Sequence, residues 1–498
     1  MARQHVIFSR RRLVFGVIVI PVILYLILLI PGAAPPVQPA GKRDPFAWNR
    51  DEYWSHLEMR FKEARSVGCT GLTARINDGF DEMERLLAPL DTGAMLPETP
   101  LLVDLENNLF ELAMHLAACP ERLEDYIELF GRLRFLVKKQ SAHWNLNSRS
   151  GRDCIYRLLY GGRTAIEEIM IQWPEPTVPA VSRGTDEASV TPFANILGVK
   201  IHSGDVLVSR GGAPTSALIA RGNDYPGNFS HVALVHVDEE TGIVSIIESH
   251  IECGVTVSRI EDYLRDTKLR VMVLRLRADL PLMRADPMLP HRAAKHALHR
   301  AMTEHIPYDF EMDFSDGQKM FCSEVASGAY RQVGVNLWMG LSYISSAGVK
   351  SWLAAFGVKN FITQEPSDLE YDPQLRVVAE WRDYETLYKD RLDNAVVDVM
   401  LEAANKGARL DYDLYLLPVA RVLKAYSVVL NRCGGVGPIP KGMSATAALR
   451  NQWFSNRHRK VKEQLELLTR RFEETNGHMP PYWELIKLAR QAYDMAGD

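Results

Sequence analysis

The chain has 498 residues, a formal net charge of -4, 24% charged residues and 47% hydrophobic residues. Such a chain can bury hydrophobic cores, and it has no polybasic tract long enough to predict binding to nucleic acid. Its six cysteines are too few for a fold held together by disulfides, and its length predicts about two or three domains outside any membrane segment.

The first two segments predict a membrane anchor. Residues 1–12, MARQHVIFSRRR, contain four arginines and no acid, and residues 13–31, LVFGVIVIPVILYLILLIP, contain no charged side chain. An apolar run of this length approaches the ~20 residues that span a bilayer. The basic flank predicts a cytoplasmic N-terminus, hence a single-pass protein of the cytoplasmic (inner) membrane with its remaining domains on the periplasmic side. The alternative is a cleaved signal peptide, because small residues follow at 32–34.

Residues 32–47 form a linker rich in proline and alanine, and residues 48–173 predict a helical domain. In the stretch LLVDLENNLFELAMHL, leucines recur at three- and four-residue steps and share one helix face: Leu102, Leu105, Leu109, Leu112 and Leu116. No motif in this domain indicates chemistry. Three of the six cysteines lie in it and are the candidates for a disulfide: Cys69, Cys119 and Cys154.

Residues 174–197 are rich in proline and small polar residues and predict a second linker. In residues 198–383, short β-branched runs such as DVLVSR, HVALVHV, IVSIIES and RVMVLRLR are separated by Gly, Asp and Asn, which is typical of an antiparallel sheet. Residues 384–498 are again helical in pattern. The predicted fold class is α+β, with an antiparallel sheet domain between two helical regions and one transmembrane helix before them.

Two neighbouring strands carry a histidine and an acid at positions that can meet. His231 begins the run HVALVHV, and Glu248 lies near the end of the following run, IVSIIESH. A hairpin brings these strand ends together, so the two side chains can be neighbours across the ladder. The carboxylate would then hold the imidazole in one tautomer and stabilise its charged form. His250 shares the face of Glu248 and is the alternative orienting residue.

Cys322 stands where the segment KMFCSEVASGAYRQVGV changes from a strand-like to a helical pattern. A thiol at a helix N-terminus experiences a partial positive charge. With an imidazolium nearby, the pKa of such a thiol falls from about 8.5 to between ~3.5 and 7.5. Together with His231 and Glu248, Cys322 would form a triad for acyl transfer.

These residues also carry a family resemblance. The segments GDVLVSRGG, NFSHVALVHV, SIIESHIECGVTV, PYDFEMDFSDGQKMFCSEVASGAYRQVGV and EPSDLEYDPQLRVVAEW resemble the YiiX/YebB-like cysteine hydrolases, a circularly permuted branch of the NlpC/P60 superfamily. The resemblance covers roughly residues 204–383, and it is specific because the order His, acid, Cys marks the permuted form. It implies a papain-like fold with Cys322 as nucleophile, His231 as base and Glu248 as orienting residue. Relatives in that family cleave peptide bonds of the cell wall, and related permuted members act on lipid acyl groups.

Further polar residues near these motifs are candidates for binding substrate or an oxyanion: Ser230, Tyr308 and Asp309. The alternative for the tyrosine and the aspartate is that they cap and brace a loop. The run DFSDGQ lacks the oxygen ligands that a calcium loop requires at Phe314 and Ser323, and the basic helix HRAAKHALHR lacks a zinc-hydrolase motif. Neither a cofactor nor a metal is therefore expected.

The sequence supports three functional hypotheses. The first is a membrane-anchored cysteine hydrolase that cleaves an amide bond of cell-wall peptide through Cys322, His231 and Glu248. The second keeps this triad and replaces the substrate with a lipid or lipoprotein acyl group. The third is an envelope scaffold whose papain-like domain is not catalytic. The expected partners are the substrate and, through residues 13–31, the membrane.

Overall fold

The computed structural model describes residues 20–32, 38–173, 178–433 and 435–497. The predicted basic segment 1–12 and the first part of the predicted span, residues 13–19, lie outside the described residues. The described part of the span forms a short apolar helix, α1 (Ile20–Leu29). Its side chains are largely exposed.

Four helices form the N-terminal helical domain: α2 (Asp51–Thr92), α3 (Pro100–Ala118), α4 (Leu123–Ser141) and α5 (Arg149–Ile171). Helix α2 is kinked at Gly68, whose φ of 76° interrupts the helical backbone. The leucines predicted to share one face of α3 pack in a common core with apolar residues of the other three helices. A disulfide joins Cys69 in α2 to Cys119 at the end of α3, whereas Cys154 is free.

The central sheet has seven antiparallel strands in the order β1-β11-β8-β4-β5-β6-β7. Its strands are β1 (Val181–Arg183), β4 (Val206–Gly211), β5 (His231–Val237), β6 (Val244–His250), β7 (Gly254–Arg259), β8 (Lys268–Leu276) and β11 (Leu375–Trp381). Two-residue alternation along these strands explains why each face buries its own apolar set. The predicted mixture of helices with an antiparallel sheet is confirmed.

The predicted linker 174–197 is more ordered than its composition suggests. Its described part contributes β1 to the edge of the central sheet and β2 (Phe193–Ile196) to a hairpin with β3 (Val199–His202). The physical reason is that β11 would otherwise expose unpaired backbone groups, and a three-residue strand is enough to cover them.

Helices cover both faces of the sheet. One face packs against α9 (Leu289–Thr303) and α10 (Cys322–Gln332), and the other against α7 (Ile260–Arg265) and the β2–β3 hairpin. The remaining short elements are α6 (Pro214–Arg221), α8 (Pro281–Ala285), β9 (Ser342–Tyr343), α11 (Ala347–Phe356), β10 (Ile362–Thr363) and the 3-10 turns Pro120–Arg122, Pro366–Glu370 and Leu414–Leu416.

Residues after the sheet form the C-terminal helices: α12 (Tyr384–Asn405), α13 (Leu417–Arg432), α14 (Ala445–Asn476) and α15 (Tyr482–Met495). Helices α12, α14 and α15 share a core with α6 and α11. Among the described helices, the stretch Leu414–Arg432 is the one long and apolar enough to cross a membrane, and only 22% of its most apolar window is buried.

Candidate active site

Strands β5 and β6 bring His231 and Glu248 together. Ala233 pairs with Glu248 across the ladder, so His231, two residues before Ala233, lies diagonally opposite on the same face. The His231 Nε2 atom is 2.9 Å from Oε2 of Glu248. The carboxylate is buried, while the imidazole keeps partial access to solvent. A buried carboxylate bonded to one ring nitrogen fixes the tautomer and leaves Nδ1 free to exchange a proton.

Glu248 is bonded on its other oxygen as well. Its Oε1 accepts a hydrogen bond of 2.7 Å from the Ser258 hydroxyl and lies 3.1 Å from His250 Nε2. Burial alone would raise the pKa of Glu248, but the bonds from His231 and His250 hold it well below its usual range. The same contact raises the pKa of His250. Glu248 therefore stays ionised and can stabilise an imidazolium on either side.

The same three residues could in principle offer metal ligands, since His231, Glu248 and His250 place donor atoms within 4.8 Å of one another. However, both carboxylate oxygens of Glu248 already face a histidine nitrogen. The carboxylate of Glu248 and the Nε2 atoms of both histidines thus have hydrogen-bond partners within the protein.

Cys322 is the first residue of α10, as the sequence pattern predicted. The helix starts there because the preceding Phe321 is extended and its backbone N–H donates to Oε2 of Glu324 at 2.9 Å. One residue earlier, the carbonyl oxygen of Met320 accepts a hydrogen bond of 2.7 Å from Ser249 on β6. The first bond sets where the helix begins, and the second ties the segment before Cys322 to the sheet.

The Cys322 sulfur contacts the backbone on both sides of His231. Its Sγ is 3.9 Å from the carbonyl oxygen of Ser230, and the backbone N–H of Val232 donates to it. Within residues 178–433, no hydrogen bond joins this sulfur to the imidazole of His231.

Strand alternation gives the reason. Val232 and Leu234 lie under α10, whereas Ala233 packs on the opposite face with β3 and α7. The His231 ring shares the face of Ala233, and the sulfur lies on the face of Val232. The sulfur of Cys322 and the ring of His231 therefore lie near the first residue of β5 but on different faces of the strand. The predicted pairing of Cys322 with His231 stays a prediction.

The state of the thiol differs from the sequence-based expectation. Burial raises the pKa of Cys322 to about 12 and outweighs the lowering effect of the Val232 backbone N–H. The Glu365 carboxyl also raises this pKa, and the hydroxyl and backbone N–H of Ser323 lower it by smaller amounts. The expected lowering of this pKa by the helix start and an imidazolium is wrong for this conformation. The physical reason is that loss of hydration outweighs the helix dipole when no imidazolium touches the sulfur.

Ser230 and Asp309, two of the predicted accessory residues, are engaged in local hydrogen bonds. The Ser230 hydroxyl lies 2.5 Å from Ser216 Oγ, which leaves its backbone carbonyl as the group that faces the sulfur. The buried Asp309 accepts the backbone N–H groups of Glu311 at 2.9 Å and Asp313 at 2.6 Å. Asp309 therefore braces the loop before Cys322, as in the alternative to substrate binding given by the sequence analysis.

Tyr308, the third accessory residue, lies in the same loop. Burial raises the pKa of its phenol well above the usual value, and Cys322 and Glu365 raise it further at pH values where they are ionised. Its ring packs edge-on against Phe310 with centroids 5.0 Å apart. The loop is tied to the sheet where Val255 of β7 donates to the carbonyl oxygen of Ile306 at 2.9 Å. A neutral phenol held close to the nucleophile can donate a hydrogen bond to an oxyanion.

Sequence reasoning missed Glu365. Burial raises the pKa of this residue to about 8, so its carboxyl carries a proton at neutral pH. Among the described residues, its Oε2 and the side-chain oxygen of Gln364 find no hydrogen-bond partner. An unpaired neutral acid near a buried thiol is typical of a functional site. The segment TQEP gave no signal of this, because the acid comes from a loop far along the chain.

Comparison with known families places these residues in one context. The family model described as "Permuted papain-like amidase enzyme, YaeF/YiiX, C92 family" matches residues 200–379. The match contains His231, Glu248, Cys322 and Glu365, and it excludes the helical domain and the C-terminal helices. A search of curated proteins found no match to the chain. The predicted resemblance is confirmed: residues 200–379 are similar to the permuted papain-like amidases of the YaeF/YiiX, C92 family.

Proposed function

We propose that this protein is a cysteine hydrolase that cleaves an amide bond, with Cys322 as nucleophile, His231 as general acid and base, and Glu248 as the residue that orients His231. The observation that carries the proposal is the arrangement at the start of β5. The sulfur of Cys322 lies against the backbone of His231, whose ring is bonded to the buried carboxylate of Glu248. The match to a papain-like amidase family supports hydrolysis of amides.

The described conformation is a resting state in this mechanism. The protonated thiol of Cys322 donates toward the carbonyl oxygen of Ser230. Because His231 is the first residue of its strand, its ring can turn about its side-chain bonds toward the sulfur. Nδ1 then takes the thiol proton, and the resulting imidazolium stabilises the thiolate while the buried Glu248 carboxylate stabilises the imidazolium.

The chemical steps then follow from these groups. The thiolate attacks the carbonyl carbon of the amide, and the C–N bond breaks as the His231 imidazolium gives its proton to the leaving nitrogen. A thioester on Cys322 remains, and a water molecule that His231 deprotonates hydrolyses it to the carboxylic acid and the free thiol. The backbone N–H of Ser323 points toward the sulfur at the helix start and supports the oxyanion.

Cell-wall peptide is the proposed substrate, and the periplasmic side of the cytoplasmic membrane is the proposed location. Two features support the location. The apolar helix α1 is the described part of the predicted anchor, residues 13–31. The disulfide between Cys69 and Cys119 is the kind of bond that persists in oxidising compartments outside the cytoplasm. An anchored hydrolase on that side would have the wall polymer within reach.

The test uses the full chain in detergent with muropeptides as one substrate set and acyl esters as the other. We expect release of peptide fragments by the wild type, its loss in Cys322→Ala, and unchanged release in the matched control Cys253→Ser, since Cys253 is an exposed free cysteine. Release of fatty acid alone would favour the acyl hydrolase. Absence of thiol-dependent turnover on both sets would leave the scaffold hypothesis.

A further inference from the structure

Helix α13 and the turn before it expose an apolar stripe that the proposed reaction does not use. The exposed side chains recur at three- and four-residue steps along one side of the helix: Val419, Val422, Leu423, Tyr426 and Val429. The turn Leu414–Leu416 extends the stripe, and Tyr415 in it is 73% exposed. We call Leu414–Leu416 and these five residues the α13 face. A continuous exposed apolar surface of this kind marks an interaction site.

The opposite side of α13 is fixed to the protein. Leu417 and Ala420 pack with Leu449 of α14. Ser427 accepts the backbone N–H of Ile439 at 3.0 Å, and Lys424 donates to the carbonyl oxygen of Pro440 at 2.7 Å. A helix held along one side in this way cannot cross a bilayer by itself. If it meets a membrane, it does so lying in the plane of the surface.

The α13 face is continuous with α1. The Tyr25 hydroxyl donates to the carbonyl oxygen of Tyr415 at 3.2 Å, and Arg421 donates to the carbonyl oxygen of Leu28 at 2.9 Å. Leu28 lies in the last turn of α1, whose carbonyl groups lack intrahelical partners. Tyr25 is three residues before it, about 4.5 Å along the helix axis. Helix α13 and the turn before it therefore contact the C-terminal half of α1, where the apolar segment ends.

The charges around the stripe favour an anionic lipid surface. Helix α13 contains three basic residues, Arg421, Lys424 and Arg432, and no acid. The nearest acids along the chain, Asp411 and Asp413, precede the turn, and Asp413 accepts the backbone N–H of Tyr415 at 2.9 Å. Lys424 is bonded on the fixed side of the helix and Arg421 is bonded to α1, so the exposed Arg432 is the basic side chain best placed to reach a lipid phosphate. Tyrosines prefer the interface between headgroups and hydrocarbon.

We propose that the α13 face is a membrane-binding surface that lies in the headgroup region of an anionic phospholipid bilayer beside α1. This inference rests on the proposed membrane location, because α1 sets the depth of α13. With one side of the C-terminal helices on the membrane, the sheet domain is held in a single orientation above the bilayer instead of turning freely on the linker. The partner is lipid, recognised by its hydrocarbon and its phosphate charge.

The test places a polarity-sensitive nitrobenzoxadiazole label at single cysteines in the full chain, reconstituted in vesicles that contain phosphatidylglycerol. The background carries Cys253→Ser and Cys433→Ser, which remove the two exposed free thiols. Labels go on Val422→Cys and Val429→Cys in the α13 face, on Ile23→Cys in α1, and on Met302→Cys at the exposed end of α9 as the matched control.

We expect the emission of the two α13 labels to shift to shorter wavelength on reconstitution and to be quenched at least twofold more by headgroup-level nitroxide lipids than the Met302→Cys label. Labels on α13 that behave like the control would overturn the inference. So would a wavelength shift without quenching by lipid, because it would mean that another protein copy covers the face. If only the Ile23→Cys label responds, the membrane anchor is supported and the proposed membrane binding of the α13 face is wrong. If only the α13 labels respond, the surface stands and the proposed anchor is wrong.

Discussion

At the Cys322 sulfur, two effects of opposite sign compete, and their magnitudes decide the state of the site. A helix N-terminus stabilises an anion by about 0.3–1 kcal/mol, whereas full burial can move a pKa by up to about 3–5 units. The sulfur is buried and no imidazolium touches it, so the pKa of Cys322 rises to about 12. The thiol of Cys322 therefore stays protonated at neutral pH in this conformation.

This balance predicts the reactivity of the resting enzyme. In a Cys253→Ser, Cys433→Ser background, we expect alkylation of Cys322 by iodoacetamide to keep rising beyond pH 9, well above the half-point near 8.5 of an unperturbed thiol. His231→Ala should change this resting profile little, because the ring does not contact the sulfur. The measurement is mass-spectrometric labelling of the Cys322 peptide against pH. A half-point below 8 that His231→Ala abolishes would instead show a preformed ion pair.

Glu365 predicts how stability depends on pH. Its pKa in the folded chain is about 8 because of burial, and in the unfolded chain about 4.3. Between these values the folded state holds a proton that the unfolded state releases, so this residue lowers stability as the pH rises from about 4 to 8. Glu365→Gln should remove that loss and become more stable than the wild type by about 1–3 kcal/mol at pH 8, with little difference at pH 4.

Urea unfolding at the two pH values measures this difference, and Glu311→Gln in an exposed side chain is the matched control. An equal effect of Glu365→Gln at pH 4 and pH 8 would contradict the assigned protonation.

Local pattern and long-range packing explain which parts of the site could be read from the sequence. The contact of His231 with Glu248 follows from alternation and a hairpin, which are local properties of two runs separated by one turn. The burial of the Cys322 sulfur depends on tertiary packing around the start of α10, and the proximity of Glu365 depends on a loop beyond that helix. Neither has a sequence period. Alternation places the side chains of His231 and Val232 on different faces of the sheet. It could not predict that α10 covers the face of Val232, so the separation of the imidazole from α10 was not predictable.

Among the elements, the disulfide between α2 and α3 gives the clearest stability prediction. It closes a loop with a sequence separation of 50 residues, and a loop of that size lowers the entropy of the unfolded chain enough to stabilise the fold by about 2–4 kcal/mol. The double variant Cys69→Ser, Cys119→Ser should lose that amount, measured by the urea midpoint of the circular dichroism signal. Cys253→Ser, which touches no disulfide, should not shift the midpoint. An unchanged midpoint in the double variant would contradict the cross-link.

Element type was predictable where a period was long and was missed where an element is short. Helices α2 to α5 and α12 to α15 occupy segments with clear three- and four-residue spacing. Strand β1 has only three residues in a proline-rich segment, and it forms because β11 offers a free edge. Helix α13 has an ordinary helical pattern; what distinguishes it is the exposure of its apolar side, which only tertiary packing reveals.

At the scale of the whole molecule, buried ion pairs join the helical domain, the sheet and the C-terminal helices. Arg163 of α5 binds Glu370 through two bonds of 2.7 and 3.0 Å and Glu167 at 2.8 Å. Arg270 of β8 bridges Glu167 and Asp390 of α12. Charges buried in this way are tolerated only when all partners are present. The helical domain and the C-terminal helices, which lie outside the family match, therefore supply charged partners to buried residues of the sheet domain.

Removing one member of the network should uncouple these parts. Arg163→Met leaves Glu370 and Glu167 buried with fewer partners, and we expect a loss of about 3–5 kcal/mol in the free energy of unfolding. Arg85→Met, which breaks an exposed pair with Glu82, is the matched control and should be close to neutral. Chemical denaturation followed by tryptophan fluorescence measures both. Equal, small effects of the two variants would mean that the three regions are held together by apolar packing alone.

The pairing of Arg210 with Asp390 also has a consequence for biosynthesis. Arg210 is wholly buried in β4, and the carboxylate that faces it is on α12, which a ribosome adds only after all strands of the sheet. A nascent chain that stops short of α12 would have to bury an uncompensated guanidinium to close its sheet. Chains truncated before α12 should therefore fail to close the sheet that positions His231 and Glu248.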